Sequence, residues 1–209
     1  MDPNDTAYNL DSLLGYNADI DVNKLVSNLA PYDVNENLDS LLKNGADIDN
    51  VVSNMGSFFG ITKHLDTLLE YGADINNIVN NMDPYDIDSN LYKLIRSGAD
   101  INNIVKHMEP KDIIIRLDSL IEYGADIDVN KLVSSLDSVQ IANNLDSLIK
   151  NGANIDIDKL VSSLDSDSVD DNLLSLLRHG ADVNNVIKNL DKEDIEDNIG
   201  LLRKYGANL

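Results

Sequence analysis

Asp126, Asp128 and Asn130 stand at alternate positions, as do Asp19, Asp21 and Asn23, and both triplets match the first three ligand positions of a calcium-binding EF-hand loop. The match stops there. The sixth position, which needs Gly for a sharp turn, is Lys131 or Lys24, and the bidentate Glu due at the twelfth is Asp137 or Ala30. Helix capping accounts for Asp128 and Asp21 better, because an apolar helical stripe starts directly after each. His64, His107 and His179 have neither a cysteine nor a second histidine at ligand spacing, so they read as helix-surface residues. His179, next to Gly180, suits the negative end of a helix dipole. Asp and Glu number 37, so two carboxylates close together carry no information about acid–base catalysis. A Gly-rich phosphate loop, a serine nucleophile elbow and an HExxH motif are all missing. The expectation is a protein that is not an enzyme and uses no metal and no cofactor.

The elements behind these residues follow from a repeated phrase. Two leucine-type residues end a helix, two further residues follow, and then Gly-Ala-Asp-Ile or a close variant. The glycine falls at Gly45, Gly72, Gly98, Gly124, Gly152, Gly180 and Gly206, with Asn17 holding the same place in a degenerate first copy. Successive spacings are 28, 27, 26, 26, 28, 28 and 26 residues. A register of this length marks a repeat array, in which each unit buries its apolar face against its neighbours.

In the copy from Asp83 to Met108, Ile87, Leu91, Leu94 and Ile95 form one helical stripe (helix A), with Asp83 as N-cap and Pro84 in the first turn. Gly98 stops it in the left-handed conformation that Gly or Asn adopts most cheaply. Asp100 caps a second stripe, Ile101, Ile104, Val105 and Met108 (helix B). Neither helix is long enough to be stable alone. In the copies starting at Asn17, Gly124 and Gly152 two extra residues fall in the turn, which leaves helix B its length and makes Asp21, Asp128 and either Asp158 or Asp156 the caps. The copy of 27 residues differs at Gly56-Ser57-Phe58-Phe59-Gly60, which holds both phenylalanines of the protein. Phe58 and Phe59 read either as a plug in a packing gap or as an exposed partner anchor.

The fold class expected is all-α, an α-solenoid of about eight stacked αα-hairpin repeats of 26–28 residues, forming one continuous domain over residues 1–209. Helix layers about 8–10 Å apart would make it a curved rod roughly 70–80 Å long. Cysteine is absent, and the acidic start Asp2-Pro3-Asn4-Asp5 and the lack of a long apolar run argue against a secretory leader or a membrane span. A cytoplasmic or otherwise intracellular protein, not secreted, is expected. A net charge of −21 disfavours nucleic acid and anionic membrane as partners and favours a protein with a basic or neutral surface.

Strings such as Leu68-Leu69-Glu70-Tyr71-Gly72-Ala73-Asp74-Ile75-Asn76 resemble the end of an ankyrin repeat, over about nine residues in each copy. The ankyrin period of 33, its Thr-Pro-Leu-His helix start and its β-finger are missing. The chain thus resembles a shortened, ankyrin-like α-hairpin repeat protein, and its Asn, Asp, Ile and Tyr bias is similar to that of repeat proteins of large amoeba-infecting DNA viruses. The resemblance implies a protein-interaction module without catalysis.

Two columns could carry recognition. The residues before the glycine are Tyr16, Asn44, Tyr71, Ser97, Tyr123, Asn151, His179 and Tyr205; Tyr16, Tyr71, Tyr123 and Tyr205 either form a partner-binding stripe or cover the turn below. The second column is a polar pair late in helix B, for example Asn80-Asn81 or Ser134-Ser135. A scaffold or adaptor is the leading expectation. Self-assembly is an alternative, since the sequence stops at Leu209 where another helix B would start and Ile195, Ile199, Leu201 and Leu202 include residues that would face a further unit. An acidic nucleic-acid mimic blocking a basic partner is a third.

Overall fold

The computed structural model describes residues 2–56 and 60–209, and every regular element in these residues is an α-helix. The helices fall into two compact units, Met1–Met108 and Glu109–Leu209. In the first unit the A positions are filled by α1 (Pro3–Tyr8) with α2 (Leu10–Gly15), α4 (Pro31–Glu36) with α5 (Leu38–Lys43), α7 (Gly60–Glu70) and α9 (Pro84–Arg96). The B positions are α3 (Val22–Val26), α6 (Ile48–Asn54), α8 (Ile75–Asn81) and α10 (Ile101–His107). In the second unit the A positions are α11 (Pro110–Ile115) with α12 (Leu117–Glu122), α14 (Ser138–Asn143) with α15 (Leu145–Lys150), α17 (Ser166–Asp171) with α18 (Leu173–Arg178), and α20 (Lys192–Asp197) with α21 (Ile199–Lys204). Its B helices are α13 (Val129–Val133), α16 (Ile157–Val161) and α19 (Val183–Asn189).

The recurrent phrase forms the same turn each time. Gly98 has φ +89°, its N–H donates to the Ile95 carbonyl at 3.0 Å, and the Ala99 N–H donates to the Leu94 carbonyl at 3.1 Å. This bond pair is a Schellman cap, and it closes two carbonyls that the helix end leaves open. Asn17, with φ +59°, makes it too, and is the one described residue other than Gly with positive φ. The leucine that accepts the Ala N–H has no measurable exposure in any copy from Leu41 to Leu202. Full burial of a leucine side chain is worth about 1.5–3 kcal/mol, so the turn and the core are fixed by one residue.

Helix A is not the single helix that the stripe suggests. In six of its eight occurrences a joint at Asn9, Asn37, Arg116, Asn144, Asn172 or Asn198, with φ between −101° and −122°, divides it into two. Each of these Asn side chains donates to the carbonyl four residues back, as in Asn37 Nδ2 to the Asp33 carbonyl at 2.8 Å. Back-bonding of this kind bends helices. It does not open the joint unaided, because Asn90 makes the same bond inside the continuous α9, while Arg116 sits at an opened joint.

Helix B also departs from expectation. It has five residues after the longer turns (α3, α13, α16) and seven after the shorter ones (α6, α8, α10, α19). The caps are as placed, with Asp21 and Asp128 accepting from the N–H three residues on and Asp156, not Asp158, capping α16. The two residues are lost at the other end, where Ser134-Ser135 turns instead of continuing the helix.

Within the first unit α3, α6, α8 and α10 pack one on the next in chain order, α2 packs on α5, and α4 on α7. Within the second, α12 packs on α15, α15 on α18, and α16 on α19. Neighbouring copies therefore bury A against A and B against B.

Candidate interaction surfaces

On the B side the polar residues are engaged with one another. Asn23 Oδ1 accepts the Asp47 N–H at 2.7 Å, and the Asn23 carbonyl accepts from Asn50 Nδ2 at 3.0 Å. Asn76 does the same toward Asp100 and Asn103, and Asp158 toward Asp182 and Asn185. Asn130 Oδ1 accepts the Asn154 N–H at 2.9 Å. Each bond to a backbone N–H ties helix B to the turn of the next copy, at a separation of 24 residues, and the bonds to the Asn23, Asn76 and Asp158 carbonyls tie it to the next helix B, at 27. The EF-hand-like triplet is thus divided between two structural roles, with Asp128 as cap and Asn130 as clamp. Among the described residues no group of three or more His, Asp or Glu converges as metal ligands.

The polar pairs late in helix B, which the sequence offered as a readable column, turn onto their own backbone. Asn28, Asn54, Asn81 and Asn189 donate to the carbonyl four residues back, and the His107 ring bonds to the Asn103 carbonyl. Ser163 bonds Ser138 and the Leu160 carbonyl.

A second ladder lies on the A side. Asp118 accepts from Ser147 Oγ at 3.1 Å, Lys150 Nζ at 2.9 Å and Asn151 Nδ2 at 2.6 Å. Asp146 meets Ser175, Arg178 and His179 Nε2, the last at 2.6 Å, and Asp11 meets Ser40, Lys43 and Asn44. Lys150, followed by Asn151, holds the Asp118 carboxyl below its ordinary value; His179, followed by Ser175, does so for Asp146. Asn44, Asn151 and His179 all belong to the column before the glycine, so three of its eight members are internal scaffolding. The sequence carried a signal for it: Asp of a Leu-Asp-Ser string recurs 33 residues before each of these three.

The tyrosines of that column divide. Tyr16 is 88 % exposed, and Tyr71 and Tyr123 are 49 % exposed. Tyr205 is half-buried against the second unit's core, with Lys204 Nζ 5.9 Å from its ring centroid. Tyr123 and Tyr205 follow copies in which the ladder Asp is replaced by Tyr92 and Leu174, so no carboxylate at that position would hold an Asn or His there. Phe58 and Phe59 lie outside the described residues.

Exposed large apolar side chains are not scattered. Leu209 apart, all of those described, from Tyr8 to Ile199, stand on A segments or on the residue that ends them, and none stands on a B helix. Of the residues near Leu209, Leu202 is fully buried, Ile195 and Leu201 pack against the core, and Ile199 is exposed.

The longer turns open clefts. One of about 370 Å³ is lined by Ile141, Ile155, Asp156, Lys159 and Leu160, and one of about 400 Å³ by the corresponding Thr6, Ile20, Asp21, Lys24 and Leu25. His64, at a joint position filled by Asn in most copies, lies beside Asn35 and Asp39, and burial, followed by the charge of Lys63, pushes its imidazole pKa down.

Comparison with known proteins finds no matching family model, no similar curated protein and no similar solved structure.

Proposed function

We propose that this chain is a non-catalytic protein–protein interaction scaffold, an α-solenoid of about eight stacked αα-hairpin repeats of the shortened ankyrin-like kind, working inside a cell. One observation carries the reading: exposed aromatic and aliphatic side chains collect on the A segments, while the B side consumes its polar groups in clamps between copies. Clustered exposed apolar surface marks interaction sites, and tyrosine offers a large contact area with a polar tip. The repeat count is supported by eight Schellman turns in register and by clamps of constant separation. Of the side chains best suited to chemistry, the histidines and the Asp triplets, Asp21 and Asp128 serve as caps, Asn23 and Asn130 as clamps and His179 as a ladder partner, which supports the non-catalytic reading.

Affinity capture at two salt concentrations tests the proposal, with the wild-type chain beside a Tyr16→Ser/Tyr71→Ser/Tyr123→Ser variant. A stoichiometric, salt-resistant protein partner lost from the variant is the outcome expected. A catch limited to nucleic-acid-binding proteins and released by salt would instead point to mimicry of nucleic acid. No partner, together with sedimentation that grows with concentration, would point to self-assembly.

A further inference from the structure

The A side of the first unit carries more than exposed rings. In α1, α4 and α9 a tyrosine and a carboxylate stand one helical turn apart: Tyr8 with Asp5, Tyr32 with Glu36, and Tyr85 with Asp88. Residues three or four apart share a helix face, with Cβ atoms about 5–6 Å from each other. The three rings are 84, 70 and 71 % exposed, the most open apolar side chains of the first unit after Tyr16. At the same positions of the second unit no tyrosine occurs; Ile115 takes the place of Tyr8, and Lys111 and Val139 take that of Tyr32 and Tyr85.

We infer that this surface binds a Lys/Arg-rich segment of the partner, each ring receiving a cationic head on its face while the neighbouring carboxylate completes the pair. Cations are attracted to the negative face of an aromatic ring, and a guanidinium adds stacking to the charge. Lys43, Lys63 and Lys93 already face Asp11, Glu36 and Asp66, whereas among the described residues no cation pairs with Asp5, Asp33 or Glu70. Glu36 therefore has Lys63 at 3.8 Å as a competitor for the incoming cation. Charge alone would attract a polycation to both units equally, since the first has 17 acids against 6 Lys/Arg and the second 20 against 10. The tyrosines make the first unit specific.

The inference rests on the interaction reading above, and its test separates the two. Nona-arginine is titrated into the full chain at about 150 mM NaCl, where long-range attraction is largely screened. Tyr8→Ser/Tyr32→Ser/Tyr85→Ser, which leaves net charge untouched, is expected to weaken binding about tenfold or more. The matching Tyr→Phe variant, which keeps the rings, should bind like wild type, and an Ile115→Ser/Val139→Ser variant, at the same positions of the second unit, should bind unchanged. Equal affinity for the triple Ser variant and wild type overturns the inference, as does an equal loss from the second-unit variant. If the capture experiment yields a partner while nona-arginine fails to bind, the basic-segment inference falls and the scaffold reading stands.

Discussion

At Gly98 a side chain would meet no atom within 4 Å, so the cost of adding one is confined to the backbone at φ +89°. Gly98→Ala is expected to destabilise the chain by roughly 1–2 kcal/mol, and Gly98→Asn by distinctly less, because Asn tolerates the left-handed region. The native Asn17 is the internal precedent, and Asn17→Gly should move stability the other way; urea denaturation of the three variants orders them. The ladder carboxylates make a second residue-scale prediction. Asp118 and Asp146 titrate below their ordinary value in the fold, so their contribution is complete above the unfolded carboxylate pKa and is lost as pH falls through the folded one. Asp146→Asn should therefore lower stability at neutral pH and flatten the acid limb of the stability curve. Asp170 has the opposite sign. Burial, followed by the charge of Asp194, raises its pKa, and Asn198 donates to its Oδ1. Asp170→Asn keeps an acceptor for Asn198 and removes the charge, so it should raise the melting temperature at pH 7 and lose that advantage in acid.

Between residues and the whole stand the clamped helix pairs, where one Asp and one Asn divide the work. Asp128→Ala removes a cap worth about 1 kcal/mol. Asn130→Ala leaves the Asn154 N–H without its acceptor and should cost about 0.5–1.5 kcal/mol. Calcium should change neither the melting temperature of wild type nor those of the variants; a rise on adding calcium, abolished by either substitution, would restore the EF-hand reading. The contrast shows why part of the fold was legible in the sequence. Turn glycines, Asp caps and leucine stripes act through residues within five positions, so type and spacing name their roles. The joint in helix A was not legible, since Asn90 spans it unbroken and Arg116 opens it, which leaves tertiary packing as the deciding factor. Nor were the clamps, whose partners lie 24 to 33 residues apart and whose Asn and Asp have several local alternatives. The exposed tyrosines were legible as candidates, but type and spacing do not separate the open rings from the packed Tyr205.

Across the whole chain, −21 charges must be held at short range by a fold with few ion pairs, most of them at exposed positions. Such pairs contribute about 0–1 kcal/mol each, whereas like-charge repulsion is summed over every carboxylate and weakens the compact state. Added salt screens both, and the many repulsions outnumber the few attractions. Raising NaCl from about 50 to 500 mM, which shortens the screening length from about 14 to 4 Å, should therefore raise the melting temperature, by about 2–4 °C for each kcal/mol recovered in a chain of this length. A fall would mean that the exposed ion pairs hold more of the fold than their geometry allows. The same salt should weaken the binding of nona-arginine, a bare polycation, while stabilising the chain that binds it, so measuring melting and nona-arginine affinity on one salt series separates the two effects. If both rise or both fall together, the charge on the carboxylates is not acting as described.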